Sequence, residues 1–303
     1  MRYSKPYLTL DDQVARLKRR GMGGDEEFIK LRLQSVSYYR LSGYWHPFRV
    51  EGGDDFRSNT DIRRVWDQYV FDRRLRLLVI DALERIEIAV RGLISAHHSK
   101  DFGPFGYVRN PGSLPDLVEP YRTRFFDSLA REVNRSDETF IAHFHQKYED
   151  TELPIWMATE VMSFGSVVRL YRTSPLHIRK QVAARFSVPE RVFKTWLLTL
   201  NTVRNICAHH GRLWNRSLSG TKPSIPRRNH YPEWHDPVVI PDHHVFATLT
   251  LCQHCLNQIC PGHHWAQRLV TLLDEYKWLP IDRMGFPSDW MKSPIWALPE
   301  SKR

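Results

Sequence analysis

Apolar residues recur at helical spacing through most of the chain. Between Thr60 and Lys100 there is one glycine and no proline, and apolar side chains follow one another every three or four residues. At about 1.5 Å per residue, this stretch would extend roughly 58 Å. The pattern predicts one long helix, or two helices with a break near Asp72.

Shorter helices are predicted on either side of this stretch. Thr9 and Asp12 have the spacing of a capping box, so a first helix is expected to begin there and to stop at Gly21. The aromatic string Tyr38–Arg49 is expected to end in a turn or short strands, because the glycine and proline within it break helices. The other predicted helices cover approximately residues 25–38, 120–133, 137–148, 155–173, 175–186, 189–214, 243–260 and 263–276.

Segments rich in glycine and proline separate these helices. Residues 101–120 and the basic segment 215–241 are expected to form loops, and the tail at residues 282–299 is expected to pack as irregular coil. No repeat and no low-complexity tract interrupts the pattern. The sequence therefore predicts an all-α protein.

Charge adds a second constraint. The 303 residues hold 44 lysines and arginines against 34 acidic residues, a formal net charge of +10. A polyanionic partner fits this charge, although a charge of this size also fits simple solubility. No apolar run reaches the roughly 18–20 residues that span a bilayer, and the first residues lack the apolar core of a secretory signal. We therefore expect a cytoplasmic protein without membrane contact.

The candidate chemistry lies in residues 204–216, RNICAHHGRLWNR. Arg204, Asn205 and His209 form the pattern R-N-x-x-x-H. A guanidinium group suits a phosphate, and an imidazole suits proton transfer near neutral pH. In a chain this basic, the pair indicates RNA cleavage without a metal. Polar residues near a helix end also often do no more than satisfy carbonyls and acidic neighbours, so spacing alone leaves that structural interpretation open.

The motif is expected on the helix before the proline-rich loop. Ser187, Pro189 and Glu190 predict the start of this helix through a capping box. A rotation of roughly 100° per residue places the three motif residues on a sector away from the core stripe. The predicted core stripe comprises Trp196, Leu200, Val203, Ile206 and Cys207.

Two apolar residues share the sector of the motif. Leu197 and Leu198 lie one or two turns before Arg204 on the same side of the predicted helix. An apolar second face implies that it is covered by another element or by another subunit. A self-complementary contact would bring two motif copies together across a two-fold axis, which predicts a homodimer.

A histidine pair on the long helix forms a second candidate cluster. Arg91 precedes His97 and His98 at a spacing that resembles the motif. The alternative is a structural stretch in which Arg91 pairs with Glu87, since the two are four residues apart on a helix.

Cysteines form the third candidate cluster. Cys252, Cys255, Cys260 and His263 have the spacing of zinc ligands. The three cysteines fall within one predicted helix, however, and cysteine is also a good small core residue. We therefore predict no metal site, and the cysteines do not suggest a disulfide framework.

Five blocks of sequence, in this order along the chain, resemble the Abi-like family of bacterial phage-defence proteins (abortive infection, AbiD and AbiF), whose nuclease core is of the HEPN type. The resemblance covers nearly the whole length. One departure is His46, where an aromatic residue is expected. The blocks are YYRLSGYWHPFR (38–49), FDRRLRLLVIDALERIEIAVR (71–91), LPIWMATEVMSFGSVVRLY (153–171), RNICAHHGRLWNR (204–216) and MGFPSDW (284–290).

This resemblance implies an HEPN-like helical bundle at residues 60–303, preceded by an N-terminal helical region at residues 1–59 that carries the aromatic motif. It also implies metal-independent RNA cleavage at a composite site built from two motif copies, without a cofactor. Arg204 and His209 correspond to the catalytic pair, and Asn205 corresponds to the polar position after the arginine. Some relatives are toxins held in check by a small structured RNA, so a neutralising RNA is a candidate partner besides the RNA substrate.

The candidates for phosphate contacts are the basic residues Arg216, Lys222, Arg227 and Arg228. Such contacts should make RNA affinity fall steeply with salt.

The alternative function is a non-catalytic HEPN-like protein that binds RNA or a partner, whereas the intact motif favours the enzyme. A metal-dependent nuclease ranks third because no carboxylate cluster stands out.

Overall fold

A computed structural model describes residue 2 and residues 6–297. Within these residues the fold is all-α, which confirms the predicted class: helices are joined by loops and short 3-10 turns, and only three isolated β-bridges occur. In the same residues no helix is long and apolar enough to cross a bilayer. The helices are α1 (Leu10–Arg19), α2 (Glu26–Val36), α3 (Tyr38–Trp45), α4 (Ile62–Phe102), α5 (Gly106–Arg109), α6 (Tyr121–Asn134), α7 (Thr139–Lys147), α8 (Ile155–Val161), α9 (Phe164–Thr173), α10 (Leu176–Arg185), α11 (Glu190–Ala208), α12 (Val245–Ile259) and α13 (Trp265–Glu275).

The chain divides into two compact units. The first is formed by Met1–Arg76 with Leu272–Leu279, and the second by Leu77–Thr271 with Pro280–Arg303. Helices α4 and α13 therefore contribute residues to both units. The division after residue 59 that the sequence suggested stays a prediction.

The long helix α4 runs without a break for 41 residues. In place of a break at Asp72, the first unit contains a buried polar cluster. The hydroxyl of Tyr44 donates to the Asp72 carboxylate at 2.6 Å, and the Arg76 guanidinium, one turn further along α4, pairs with the same carboxylate. Because the carboxylate is buried and engaged by these donors, its polarity does not interrupt the helix.

The N-terminal helices follow the predicted signals closely. Thr9 and Asp12 form the capping box of α1. The aromatic string forms α3 as far as Trp45 and then a 3-10 turn at His46–Phe48. The α-helix ends before Pro47, which has no backbone N–H to donate to an α-helical hydrogen bond. The predicted turn is present, while the predicted strands reduce to a single bridge between Arg49 and Phe56.

One predicted helix is divided in the structure. The pattern over residues 155–173 forms α8 and α9, with Met162 and Ser163 between them in extended conformation. The hydroxyl of Ser163 caps α9 by accepting from the backbone N–H of Ser166 at 3.3 Å. The apolar spacing continues through this break, so periodicity alone did not predict it.

The core of the second unit forms around α11 and α12. Every residue of α12 from Val245 to Leu256 is buried. His254 lies in this core against the rings of Trp196 and Trp234, with its Nε2 atom 2.9 Å from the carbonyl oxygen of Phe186. Burial lowers the pKa of His254, and burial likewise lowers the pKa of His98 on α4. Burial therefore favours the neutral form of both imidazoles.

These buried histidines predict an acid-sensitive fold. We expect the free energy of unfolding to fall as the pH is lowered through the ordinary histidine pKa of 6.5 toward the lowered folded values, because the unfolded chain then binds more protons than the folded chain. Urea unfolding at a series of pH values measures the effect.

The matched variant is His254→Gln, which keeps a donor for the Phe186 carbonyl but does not titrate. It should show a shallower dependence on pH than the unmodified chain. A free energy of unfolding that stays constant or rises on acidification would contradict the prediction.

Candidate active site

Helix α11 carries the motif, and its buried side follows the predicted stripe. Trp196, Leu200, Val203 and Cys207 are buried, and Ile206 is half-buried. The helix packs against α9, α10 and α12. These contacts fix the rotation of α11 about its axis and thereby decide where the motif side chains point.

The start of α11 differs from the prediction. Its N-cap is Pro189, and no side chain caps the first turn. Ser187 has a left-handed backbone (φ +55°) and donates its hydroxyl to the side chain of Gln258 at 2.8 Å. Glu190 pairs with Arg179 at 3.2 Å. The predicted capping box is therefore wrong, because both of its side chains have partners elsewhere.

The end of α11 comes at Ala208, six residues before the predicted end at residue 214. The backbone N–H of His210 donates to the carbonyl of Cys207 at 3.0 Å, and that of Gly211 donates to the carbonyl of Ile206 at 2.7 Å. This pair of bonds is a Schellman motif, in which the residue with left-handed backbone is usually glycine. Here His210 occupies that position with φ +57°. His209 is consequently the C-cap residue and lies just outside the helix.

The left-handed backbone at position 210 yields a stability prediction. His210→Gly should be more stable than His210→Ala by about 1 kcal/mol, because only the alanine keeps a Cβ in this conformation. Both variants lose the imidazole, so their difference isolates the backbone term. Chemical denaturation of the two variants measures it, and equal stabilities would show that the left-handed cap is not maintained.

Arg204 lies beside a buried carboxylate. Its side chain is 40% exposed, and its Nε atom is 3.9 Å from the Glu87 carboxylate on α4. Glu87 also pairs with Arg91, one turn along α4. Arg204 and Glu87 line an open groove of about 390 Å³, which also contains Glu84, Glu160 and the apolar side chains of α4. An arginine held in an open groove can receive an anionic ligand.

Arg91 and its neighbouring histidines have structural roles. Arg91 donates to the backbone carbonyls of Thr159 and Glu160 at the end of α8, the latter at 2.8 Å. His98 is buried with its Nε2 atom 3.3 Å from the carbonyl oxygen of Ser113. These contacts support the salt-bridged interpretation of this stretch over a second catalytic site. Glu87 is the site residue that sequence reasoning missed, although its spacing from Arg91 was visible.

The other two motif residues face solvent. Asn205 and His209 are exposed, and their side chains form no hydrogen bond to another described residue. Leu197, in contrast, is fully buried inside its own chain, and Leu198 is half-buried. The apolar side of the sector is therefore covered largely by other elements of this chain, so it gives little support to the predicted homodimer.

The three cysteines of the zinc-like pattern do not share one environment. Cys252 and Cys255 are buried in α12, where burial raises the pKa of each thiol, whereas Cys260 is exposed. In residue 2 and residues 6–297, no three or more side chains of metal-binding type are grouped as ligands. The zinc-like spacing of Cys252 and Cys255 arises because both lie on α12 and pack in the core.

The predicted RNA contacts differ in their availability. Lys222 pairs with Asp242 at 3.0 Å, and Arg228 makes a two-pronged pair with Asp236. Arg216 donates to the backbone carbonyl of Arg212 at 3.3 Å. Arg227 is exposed and forms no ion pair with a described residue. Of the four, Arg216 and Arg227 are the residues whose positive charge no described carboxylate offsets.

Comparison with known proteins gives one match. The sequence matches the Abi-like protein family over residues 32–215, a range that contains α3 to α11 and most of the R-N-x-x-x-H block. Neither a curated protein nor a solved structure matches the chain.

Proposed function

Because the chain belongs to the Abi-like protein family, we propose that it is a metal-independent endoribonuclease of the HEPN type acting in abortive infection. Membership of this family suggests phage defence. The observation that carries the proposal is the placement of Arg204 and His209 at the end of α11, one in an open groove and one exposed to solvent. Phosphate and RNA can reach both.

The chemistry needs only groups that the motif and RNA supply. His209 removes the proton of a ribose 2′-OH, and the 2′-oxygen forms a bond to the adjacent phosphorus. Arg204 stabilises the charge on the non-bridging oxygens, and Asn205 positions His209. The bond from phosphorus to the 5′-oxygen breaks, and this oxygen takes up a proton. The products carry a 2′,3′-cyclic phosphate and a 5′-hydroxyl.

A second copy of the chain would complete the site. The R-N-x-x-x-H pattern itself contains one imidazole, that of His209, whereas the reaction needs one group to remove a proton and another to donate one. The groove beside Arg204 has an apolar rim, since Ile88 is 60% exposed there. Two grooves that meet across a two-fold axis would bury these rims and bring two motifs together. A small structured RNA that covers the same surface would hold the nuclease inactive.

The reaction products test this proposal. RNA incubated with the protein in excess EDTA should be cleaved to fragments with 2′,3′-cyclic phosphate ends, identified by mass spectrometry. A matched strand with a single 2′-deoxy residue at the cleaved position should remain intact there, because it lacks the nucleophile. Cleavage of that strand at the same bond, or complete loss of cleavage in EDTA, would contradict the mechanism.

One observation favours a non-catalytic RNA- or partner-binding protein instead. The Glu87 carboxylate lies 3.9 Å from Arg204 and offsets part of its positive charge before any ligand arrives. Under this alternative, expression of the unmodified chain and of the His209→Ala variant would stop bacterial growth equally well. Under the proposed function, only the unmodified chain would stop growth.

A further inference from the structure

A second groove lies at the opposite end of α11 from the motif. It has a volume of about 260 Å³ and is lined by Arg191 and Val192 of the first turn of α11 and by residues of the proline-rich loop, including Arg227, His230 and Tyr231. No acidic side chain lines it among the described residues. Neither Arg191 nor Arg227 forms an ion pair with a described residue, so both guanidinium groups are available to an anion.

The groove and the motif share one side of α11. Arg191 and His209 are 18 residues apart, which at about 3.6 residues per turn is roughly five full turns. They therefore lie on the same side of the helix axis, about 27 Å apart at about 1.5 Å per residue. The positions between them on this side are half-buried or exposed: Thr195, Leu198, Thr202 and Asn205. A strip of partly accessible side chains thus runs from the groove to the motif.

We propose that this groove binds single-stranded RNA, with a phosphate between Arg191 and Arg227 and a base against the ring of Tyr231, and that the strand follows the strip to His209. This inference rests on the proposed function, since it specifies how the substrate is held. Guanidinium groups recognise phosphate, and an aromatic ring stacks on any unpaired base. A cationic groove with one aromatic wall fits such a strand better than it fits an acidic peptide.

The distance along the strip sets the length of RNA that can use both sites. A stacked strand rises about 3.4 Å per nucleotide, so about eight nucleotides would span the roughly 27 Å between the groove and the motif. Strands of about four nucleotides would occupy only one of them.

Binding measurements separate this inference from catalysis. The probe is a 2′-O-methyl RNA strand of about twelve nucleotides, which cannot be cleaved by 2′-OH attack and spans the full strip. Arg191→Ala and Arg227→Ala should each weaken binding about fivefold near 0.1 M salt. Each should also make the negative slope of log affinity against log salt shallower by about 0.7. Arg228→Ala is the matched control, since Asp236 already engages that guanidinium, and it should change affinity less than about twofold.

Each outcome has one meaning. Loss of affinity in both groove variants but not in Arg228→Ala supports the inference even if the chain cleaves no RNA. Equal loss in all three variants would indicate general charge attraction and would overturn it, as would unchanged affinity in the groove variants. Equal affinity for strands of about four and about twelve nucleotides would overturn the path along α11.

Discussion

His209→Ala is expected to lower RNA cleavage at least about 100-fold, the lower end for loss of an acid–base group. The imidazole is exposed at the end of α11, and the cap around it is made by backbone hydrogen bonds of the neighbouring residues. The substitution should therefore leave the fold intact. Cleavage of a defined RNA in the presence of EDTA, at matched thermal stability, gives the measurement.

Arg204→Ala should have an effect of similar size, because it removes the guanidinium that would stabilise the charge on the phosphorane. Asn205→Ala should cost less, since its proposed role is to position His209. The matched control is His210→Gly, which removes the neighbouring imidazole and retains the left-handed cap. Full activity in His209→Ala would end the proposed mechanism, and loss of activity in His210→Gly would show that the His210 side chain is required as well.

Asp72→Ala is expected to lower the free energy of unfolding by about 3–5 kcal/mol. Its carboxylate is fully buried and pairs with Arg76, whose guanidinium is nearly buried, and it also accepts from the hydroxyl of Tyr44. Removal of the carboxylate deprives the buried Arg76 guanidinium of this counter-ion and the Tyr44 hydroxyl of this acceptor. Urea unfolding followed by circular dichroism measures the loss.

The control for this substitution lies on the same helix. Asp67 is partly buried and forms no ion pair with a described residue, and desolvation raises the pKa of its carboxyl group. Asp67→Ala should therefore change stability by no more than about 0.5 kcal/mol. Similar losses from the two substitutions would show that the buried pair does not determine the effect, since helix propensity favours alanine over aspartate in both.

The fold could be predicted where the apolar pattern was long and regular. Helix α4 follows directly from the spacing of its apolar residues, and the two-residue turn at Pro261 and Gly262 separates α12 from α13 as expected. The errors lie at helix ends. Ser163 interrupts a continuous pattern, and His210 adopts a conformation that the sequence suggests only for glycine. Such ends depend on local backbone conformations that periodicity does not encode.

The candidate site could be predicted as residue types, but its surroundings could not. The rotation of α11 placed Arg204 and His209 off the core, and both are accessible. The partners come from segments far away in sequence: Glu87 lies 117 positions before Arg204, and only folding brings them together. The availability of Arg227 compared with Arg228 likewise depends on Asp236, whose pairing no sequence spacing indicates.

The four cysteines of this chain differ in exposure, so their rates of alkylation report where the folded protein opens. Cys260 is exposed, whereas Cys207, Cys252 and Cys255 are buried. Thiolates are the species that react with alkylating reagents, and burial holds the pKa of the Cys252 and Cys255 thiols above its ordinary value. Alkylation of the folded protein should therefore label Cys260 first. Labelling of Cys252 or Cys255 at later times, located by peptide mass spectrometry, would show when α12 becomes exposed to solvent. Labelling of Cys207 would show when the last turn of α11, which precedes His209, opens.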